Sequence, residues 1–182
     1  MTRFAPVLDW RSPLMTEKVV VLDRGNIEFL YPGDWSIAAS KEGYLTLSDP
    51  SESCRLEVSY QKVPPPAAEI PVARLLERLL EQVPEAPSDV TIESQTSGNG
   101  RFAWTDYAYP STDKRTGNDA EAHGRWLIGS NGLFQLLMTF YYWEDDSGWA
   151  VTSWSRVYET IQFGDGSTLT SPEEHWSMRR KH

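Results

Sequence analysis

The sequence predicts an α+β domain, an α/β/α sandwich built on one central antiparallel sheet of about seven strands with a helix on each face. Three observations carry this. Apolar residues alternate over short stretches bounded by Gly, Pro, Asn and Asp turns, two other stretches switch to helical spacing, and one stretch, Leu133 to Trp143, is apolar on both of its faces. A strand of that last kind needs cover from both sides.

Residues 1–17 lack periodicity and read as an arm over the domain surface. Val19 to Leu22, the Asp23-Arg24-Gly25-Asn26 turn, and the alternating Ile27, Phe29 and Tyr31 predict strand, turn and strand. Pro32-Gly33-Asp34 ends that strand, and further short strands follow around Trp35 and Ile37, over Tyr44 to Leu47, and around Leu56, Val58 and Tyr60. Pro64-Pro65-Pro66 is a stiff extended connector. Val72, Leu75, Leu76, Leu79, Leu80 and Val83 then fall on one helical stripe, with Pro71 suited to the first turn and Pro84 barring continuation. Four more strands are expected over Val90 to Glu93, Phe102 to Tyr109, Ala120 to Ile128 and Leu133 to Trp143, with a polar loop from Ser111 to Asp119 and a tight Asn131-Gly132 hairpin. Asp145, Asp146 and Ser147 offer caps for a second helix over Trp149 to Ile161, ending at Gly164. The body therefore spans 18–164, and 165–182 forms a tail with its own short helix, opened by Ser171 and Pro172 and closed by Arg179, Arg180 and Lys181.

With 182 residues the chain has room for one core that needs no disulfide or metal. Its net charge of −9 makes nucleic acid and anionic lipid poor partners. No apolar run approaches the ~20 residues that cross a bilayer, so no membrane insertion is expected. Arg3 is followed by a stretch broken by Pro6, Asp9 and Arg11, unlike a secretory leader, and the expected location is cytoplasmic. Cys54, the single cysteine, forms no intramolecular disulfide and reads as a small buried hydrophobe.

Tyr31-Pro32-Gly33-Asp34-Trp35 at the start of the body, and Gly100-Arg101-Phe102-Ala103 opening a strand after the first helix, resemble the PsbP-like superfamily over about residues 19–163. That superfamily includes the photosystem II extrinsic PsbP proteins, the Ran-binding Mog proteins, DcrB-type lipoproteins and the Eag chaperones of type VI secretion effectors. The resemblance implies an α/β/α sandwich and a binding role, and it carries no functional residue over to this chain. The lipidated cysteine of the lipoproteins has no counterpart near the start.

Patterns that carry chemistry are sparse. Gly98-Asn99-Gly100 precedes a strand, whereas a phosphate cradle needs a helix N-terminus. His123, His175 and His182 are too scattered for a zinc site, and no metal or cofactor is expected. The most informative face comes from the hairpin. A two-residue Asn131-Gly132 turn sets Glu121 opposite Tyr142, His123 opposite Phe140, Arg125 opposite Met138 and Leu127 opposite Leu136. Charged and large apolar residues then share one face, which is either a helix-covered face with Glu121 and Arg125 at its wet edge, or the wall of a groove. Trp35, Trp104, Trp126 and Trp154 suit a core, and Trp10, Trp143, Trp149 and Trp176 lie at element ends, where aromatics anchor arms or partners.

The expectation is a non-catalytic domain, monomeric or homodimeric, that docks a protein partner or effector segment through Glu121, His123, Arg125, Phe140 and Tyr142. The alternative is a small-molecule-binding protein or a hydrolase-like enzyme with His123 as general base, Asp106 or Glu121 orienting it and Arg125 holding an anion.

Overall fold

The computed structural model describes residues 16–41, 43–64 and 69–166. The expected arm and tail helix lie outside them, except that Glu17 already opens the first strand.

In chain order the elements are β1 (Glu17–Leu22), β2 (Ile27–Pro32), β3 (Ser36–Ala39), β4 (Leu45–Ser48), β5 (Cys54–Lys62), α1 (Val72–Leu80), β6 (Glu93–Ser97), β7 (Gly100–Asp113), β8 (Asn118–Ser130), β9 (Phe134–Trp143), α2 (Ser147–Glu159) and β10 (Gln162–Phe163). Seven strands form one sheet in the order β3-β4-β5-β9-β8-β7-β6, with every neighbouring pair antiparallel. The two-sided apolar strand is its middle member. Its even-numbered residues, Phe134 to Tyr142, pack with Leu47, Leu56, Val58, Leu127 and α2 residues Ala150, Trp154 and Val157. Leu137, on the opposite side, packs with Tyr107, Trp126, Ile128 and the α1 stripe of Val72, Leu76 and Leu80. One helix thus lies on each face, as the periodicity requires.

Besides a two-residue shift of α2, expected over Trp149 to Ile161 and found over Ser147–Glu159, four features differ from expectation. β1 and β2 leave the main sheet and form a separate three-stranded sheet with β10, added to the α2 layer. A two-residue strand such as β10 leaves no periodicity to read. Second, β6 lies over Glu93–Ser97 rather than Val90–Glu93, because the turn at Gly98 (φ 58) pairs Ser97 with Gly100 and the ladder runs back only to Glu93. Val90 and Ile92 pack beside α1 instead. Third, β7 and β8 extend through most of the expected polar loop, to a tip at 114–117 where Asp113 accepts the amides of Thr116 and Gly117 through its carbonyl. Pro110 fits this long strand because β6 ends opposite Trp104 and leaves that edge of β7 unpaired. Fourth, α1 closes at Leu80, where the Gln82 and Val83 amides bond back three residues ahead of Pro84.

The two resemblance motifs have packing causes. The Trp35 amide donates to the Pro32 carbonyl, closing a turn that drops the indole onto the sheet, stacked on Phe140 at 6.1 Å. Gly33 is required because a Cβ there would strike the Thr16 backbone. Gly100 and Gly129 are required because a Cβ on either would come within 2.8 Å of the Phe102 ring.

The β8–β9 register also differs. The turn centres on Gly132 and Leu133, with only Gly132 at positive φ (88), so it is not the Asn-Gly turn that needs two left-handed residues. Asn131 instead spends its side-chain oxygen on the amides of Leu133 and Phe134. Pairing moves by two residues. His123 lies opposite Tyr142, Arg125 opposite Phe140 and Leu127 opposite Met138. An even shift keeps the faces and changes the partners.

Leu136 is fully buried and Leu137 half-buried. We expect Leu136→Asp to abolish folding, because an unpaired buried carboxylate costs several kcal/mol against a total of roughly 5–15. Leu137→Asp, nearer the α1 rim, is expected to be the milder of the two. An unchanged melting temperature for Leu136→Asp in a thermal unfolding scan would place β9 outside the core.

Candidate functional site

Alternation along β8 places Glu121, His123 and Arg125 on the α2 side of the sheet, and β7 contributes Asp106 directly opposite Arg125. Arg125 holds Asp106 through Nε and Nη2, both 2.7 Å from Oδ2. The His123 ring stacks on Tyr142, with centroids 4.8 Å apart and planes 10° from parallel, and the Arg125 guanidinium lies 5.6 Å from the centroid of the same Tyr142 ring. His123 Nδ1 faces Asp106 Oδ1 at 3.8 Å, and Nε2 faces Glu144 Oε2 at 2.6 Å and Glu121 Oε1 at 3.8 Å. The Glu144 contact does not have hydrogen-bond direction, so the buried Nε2 has a close carboxylate and no hydrogen bond.

The expected site residues therefore divide. Phe140 and Tyr142 are 1% and 4% exposed, closed beneath Trp35, Trp154 and the His123 ring, and offer no surface to a partner. Burial holds the Tyr142 phenol above its ordinary pKa, with the nearby Asp106 charge pushing the same way. Glu121, His123 and Arg125 form a rim at the wet edge. Glu144 joins this rim although the sequence reading did not single it out. It lies one step beyond the last β8–β9 pair, Ala122 with Trp143, and so comes opposite Glu121. The correct turn centre was the signal that finds it. Asp146 does not cap α2 through its side chain; it accepts from Arg115 (3.5 Å) and Trp149 Nε1 (3.4 Å).

The other face holds a groove of about 740 Å³ beside the turn that follows α1. The helix covers Ala103, Tyr107 and Ile128 and leaves the β5 side of the sheet open. Tyr107, Tyr109 and Tyr141 line the groove, with the Arg55 guanidinium 5.5 Å from the Tyr141 centroid. A Cβ on Gly124 would lie 3.1 Å from the Tyr107 ring, so glycine is what lets that ring approach β8 closely. Desolvation raises all three phenols, Tyr107 to about 12, and they remain neutral donors. At the groove's end Arg115 grips Asp113 with Nε and Nη2 at 3.0–3.2 Å, which holds that carboxyl below its ordinary pKa. Alternating Tyr107 and Tyr109 were visible in the sequence, but which half of the sheet α1 leaves bare was not.

Comparison with known proteins places the fold. The sequence profile of the Alr1449 family matches residues 18–166. The chain belongs to the Alr1449 family. A relative from Nostoc sp. (strain PCC 7120), known only as uncharacterized protein alr1449, is 26% identical over 163 residues, 85% of this chain and 81% of that one. Among solved structures, cyanobacterial PsbP (CyanoP) from Synechocystis sp. PCC 6803 superposes with a TM-score of 0.63 at 15% identity, covering 84% of this chain and 95% of that one. The Saccharomyces cerevisiae Ran-binding protein Mog1p follows at 0.53 and 10%, covering 86% and 100%. LpqN of Mycobacterium tuberculosis, described as involved in cell envelope biogenesis, gives 0.52 and 13%, covering 81% and 90%. These likenesses establish the PsbP-like fold that the two motifs pointed to. Among the described residues of this Alr1449-family chain, no helix is long and apolar enough to cross a membrane.

Cys54 is 2% exposed, and burial pushes its thiol from 9.0 up to about 12. The folded form keeps its proton more tightly than the unfolded one, so the linked stability is intact below pH 9 and is lost as pH rises toward 12. At pH 8 the native thiol therefore holds its proton more firmly than the same group in the unfolded chain, and less of it is the reactive thiolate. Alkylation by iodoacetamide should therefore be slow until denaturant is added, and equal rates in the two states would contradict this burial.

Proposed function

We propose that this chain is a non-catalytic binding protein that docks an extended segment of a partner protein in the tyrosine groove. The convergence of Tyr109 and Tyr141 with Arg55 in one open groove, over the buried Tyr107 ring, carries the reading. Tyrosine and arginine are the residues protein interfaces favour, since a phenol combines a large apolar face with a polar tip at little conformational cost. The volume suits a few side chains of an extended peptide. Mog1p, of the same fold, is described as a Ran-binding protein, so the architecture is compatible with protein recognition.

A non-catalytic role agrees with the chemistry of the candidate base and nucleophile. Both ring nitrogens of His123 face carboxylates, leaving neither directed at open space for a substrate proton. The Cys54 thiol stays protonated across physiological pH.

A photo-crosslinking amino acid placed at position 109 tests the proposal, with the same probe at exposed Ile37, at the far edge of the sheet, as control. In the source cell, position 109 should give a discrete protein adduct that position 37 does not, and Arg55→Glu with Tyr141→Ala should abolish it. Equal labelling from both positions, an adduct indifferent to those substitutions, or a groove filled by a small molecule seen in native mass spectra would overturn the docking reading.

A further inference from the structure

We infer that Glu121, His123 and Glu144 form a binding site for one divalent transition-metal ion, zinc being the best match, which clips β8 to the segment entering α2. This goes beyond the docking reading and lies on the opposite face of the sheet. One ligand atom from each of the three residues lies within 4.8 Å of the others. Two donors about 2.05 Å from a tetrahedral zinc stand roughly 3.3 Å apart. The 2.6 Å and 3.8 Å separations of His123 Nε2 from Glu144 and Glu121 bracket that value, and both glutamates are more than half exposed, so rotamer changes of these side chains can draw all three donors, now within 4.8 Å, to that spacing.

Convergence of carboxylates alone is common on surfaces. Here a second observation points into the cluster: on a side chain that is 18% exposed, the His123 Nε2 atom itself is buried, faces both glutamates, and makes no hydrogen bond even with Glu144 Oε2 at 2.6 Å. The ring is also held as metal-bound imidazoles are held. Its Nδ1 faces the Asp106 carboxylate at 3.8 Å, an electrostatic contact longer than a hydrogen bond that Arg125 fixes from behind, and its plane is set by stacking on Tyr142. Imidazole nitrogen with two carboxylate oxygens is a set that borderline ions such as zinc accept, with a water completing four-coordination. Asp106 acts here as a positioning residue. Because Glu144 opens the 3₁₀ turn Glu144–Asp146 that runs into α2, a bound ion joins the sheet to that turn.

Sequence spacing hid the site because Glu144 sits across the hairpin from Glu121. The test uses the full chain, stripped by a chelator and titrated with ZnCl₂ by calorimetry and with Co²⁺ by visible absorption. One ion per chain is expected, with a cobalt spectrum free of thiolate charge transfer, which excludes Cys54, and with a higher melting temperature on loading. Glu144→Gln, Glu121→Gln and His123→Asn should each lose this binding, and Asp106→Asn should weaken it by about 10- to 100-fold while leaving the cobalt spectrum unchanged. His175→Asn with His182→Asn should leave it intact. If His123→Asn fails to fold, the two glutamate variants, at exposed positions, decide. Failure of the wild type to take up either ion at micromolar concentration, or uptake undiminished in Glu144→Gln and Glu121→Gln, overturns the assignment.

Discussion

The burial of β9 on both sides is the constraint on which the rest of the molecule depends. Phe134, Leu136, Met138, Phe140 and Tyr142 are each at most 4% exposed on the α2 side, while Leu137 packs against α1 on the other. A strand with two apolar faces stabilises the chain only when each face has its own cover, so two helices must lie on opposite sides and β9 must be the middle of seven strands. Phe140 shows the coupling most directly. Its ring stacks on Trp154 of α2 at 5.5 Å and on Trp35 at 6.1 Å, joining the sheet to the helix and to the turn that starts the body.

That arrangement gives the two faces different freedoms. On the α2 side the helix and the small three-stranded sheet together close the core, and at its rim Arg125 holds Asp106 while the His123 ring stacks on Tyr142. On the α1 side a single short helix covers only part of the sheet, and the uncovered part is lined by tyrosines whose apolar bodies tolerate water. The tyrosine groove and the carboxylate–histidine rim thus arise from unequal cover over one sheet.

Much of this was legible in the sequence. The α1 stripe, the α2 stripe and the double-faced β9 declare themselves by period, because each side chain there reports the side on which it is buried. The PsbP-like resemblance rested on glycines and a tryptophan whose packing is now evident at Gly33, Trp35 and Gly100. What stayed hidden depended on tertiary choices. Asn131 turned its side-chain oxygen inward to the hairpin amides, moving the turn centre by one residue and every β8–β9 pair by two. That step hid Glu144 and misplaced the partners of His123 and Arg125. It left their face unchanged, which is why the rim itself was foreseen. β10 is too short to carry a pattern, and the open half of the α1 face follows from where one helix happens to lie.

The β8–β9 register fixes the position of every residue at the rim, and cross-strand nuclear Overhauser contacts in the isotope-labelled chain measure it directly. Backbone contacts should link His123 with Tyr142 and Arg125 with Phe140. Contacts linking His123 with Phe140 and Arg125 with Met138 instead would carry Glu144 away from Glu121 and contradict the account of the site.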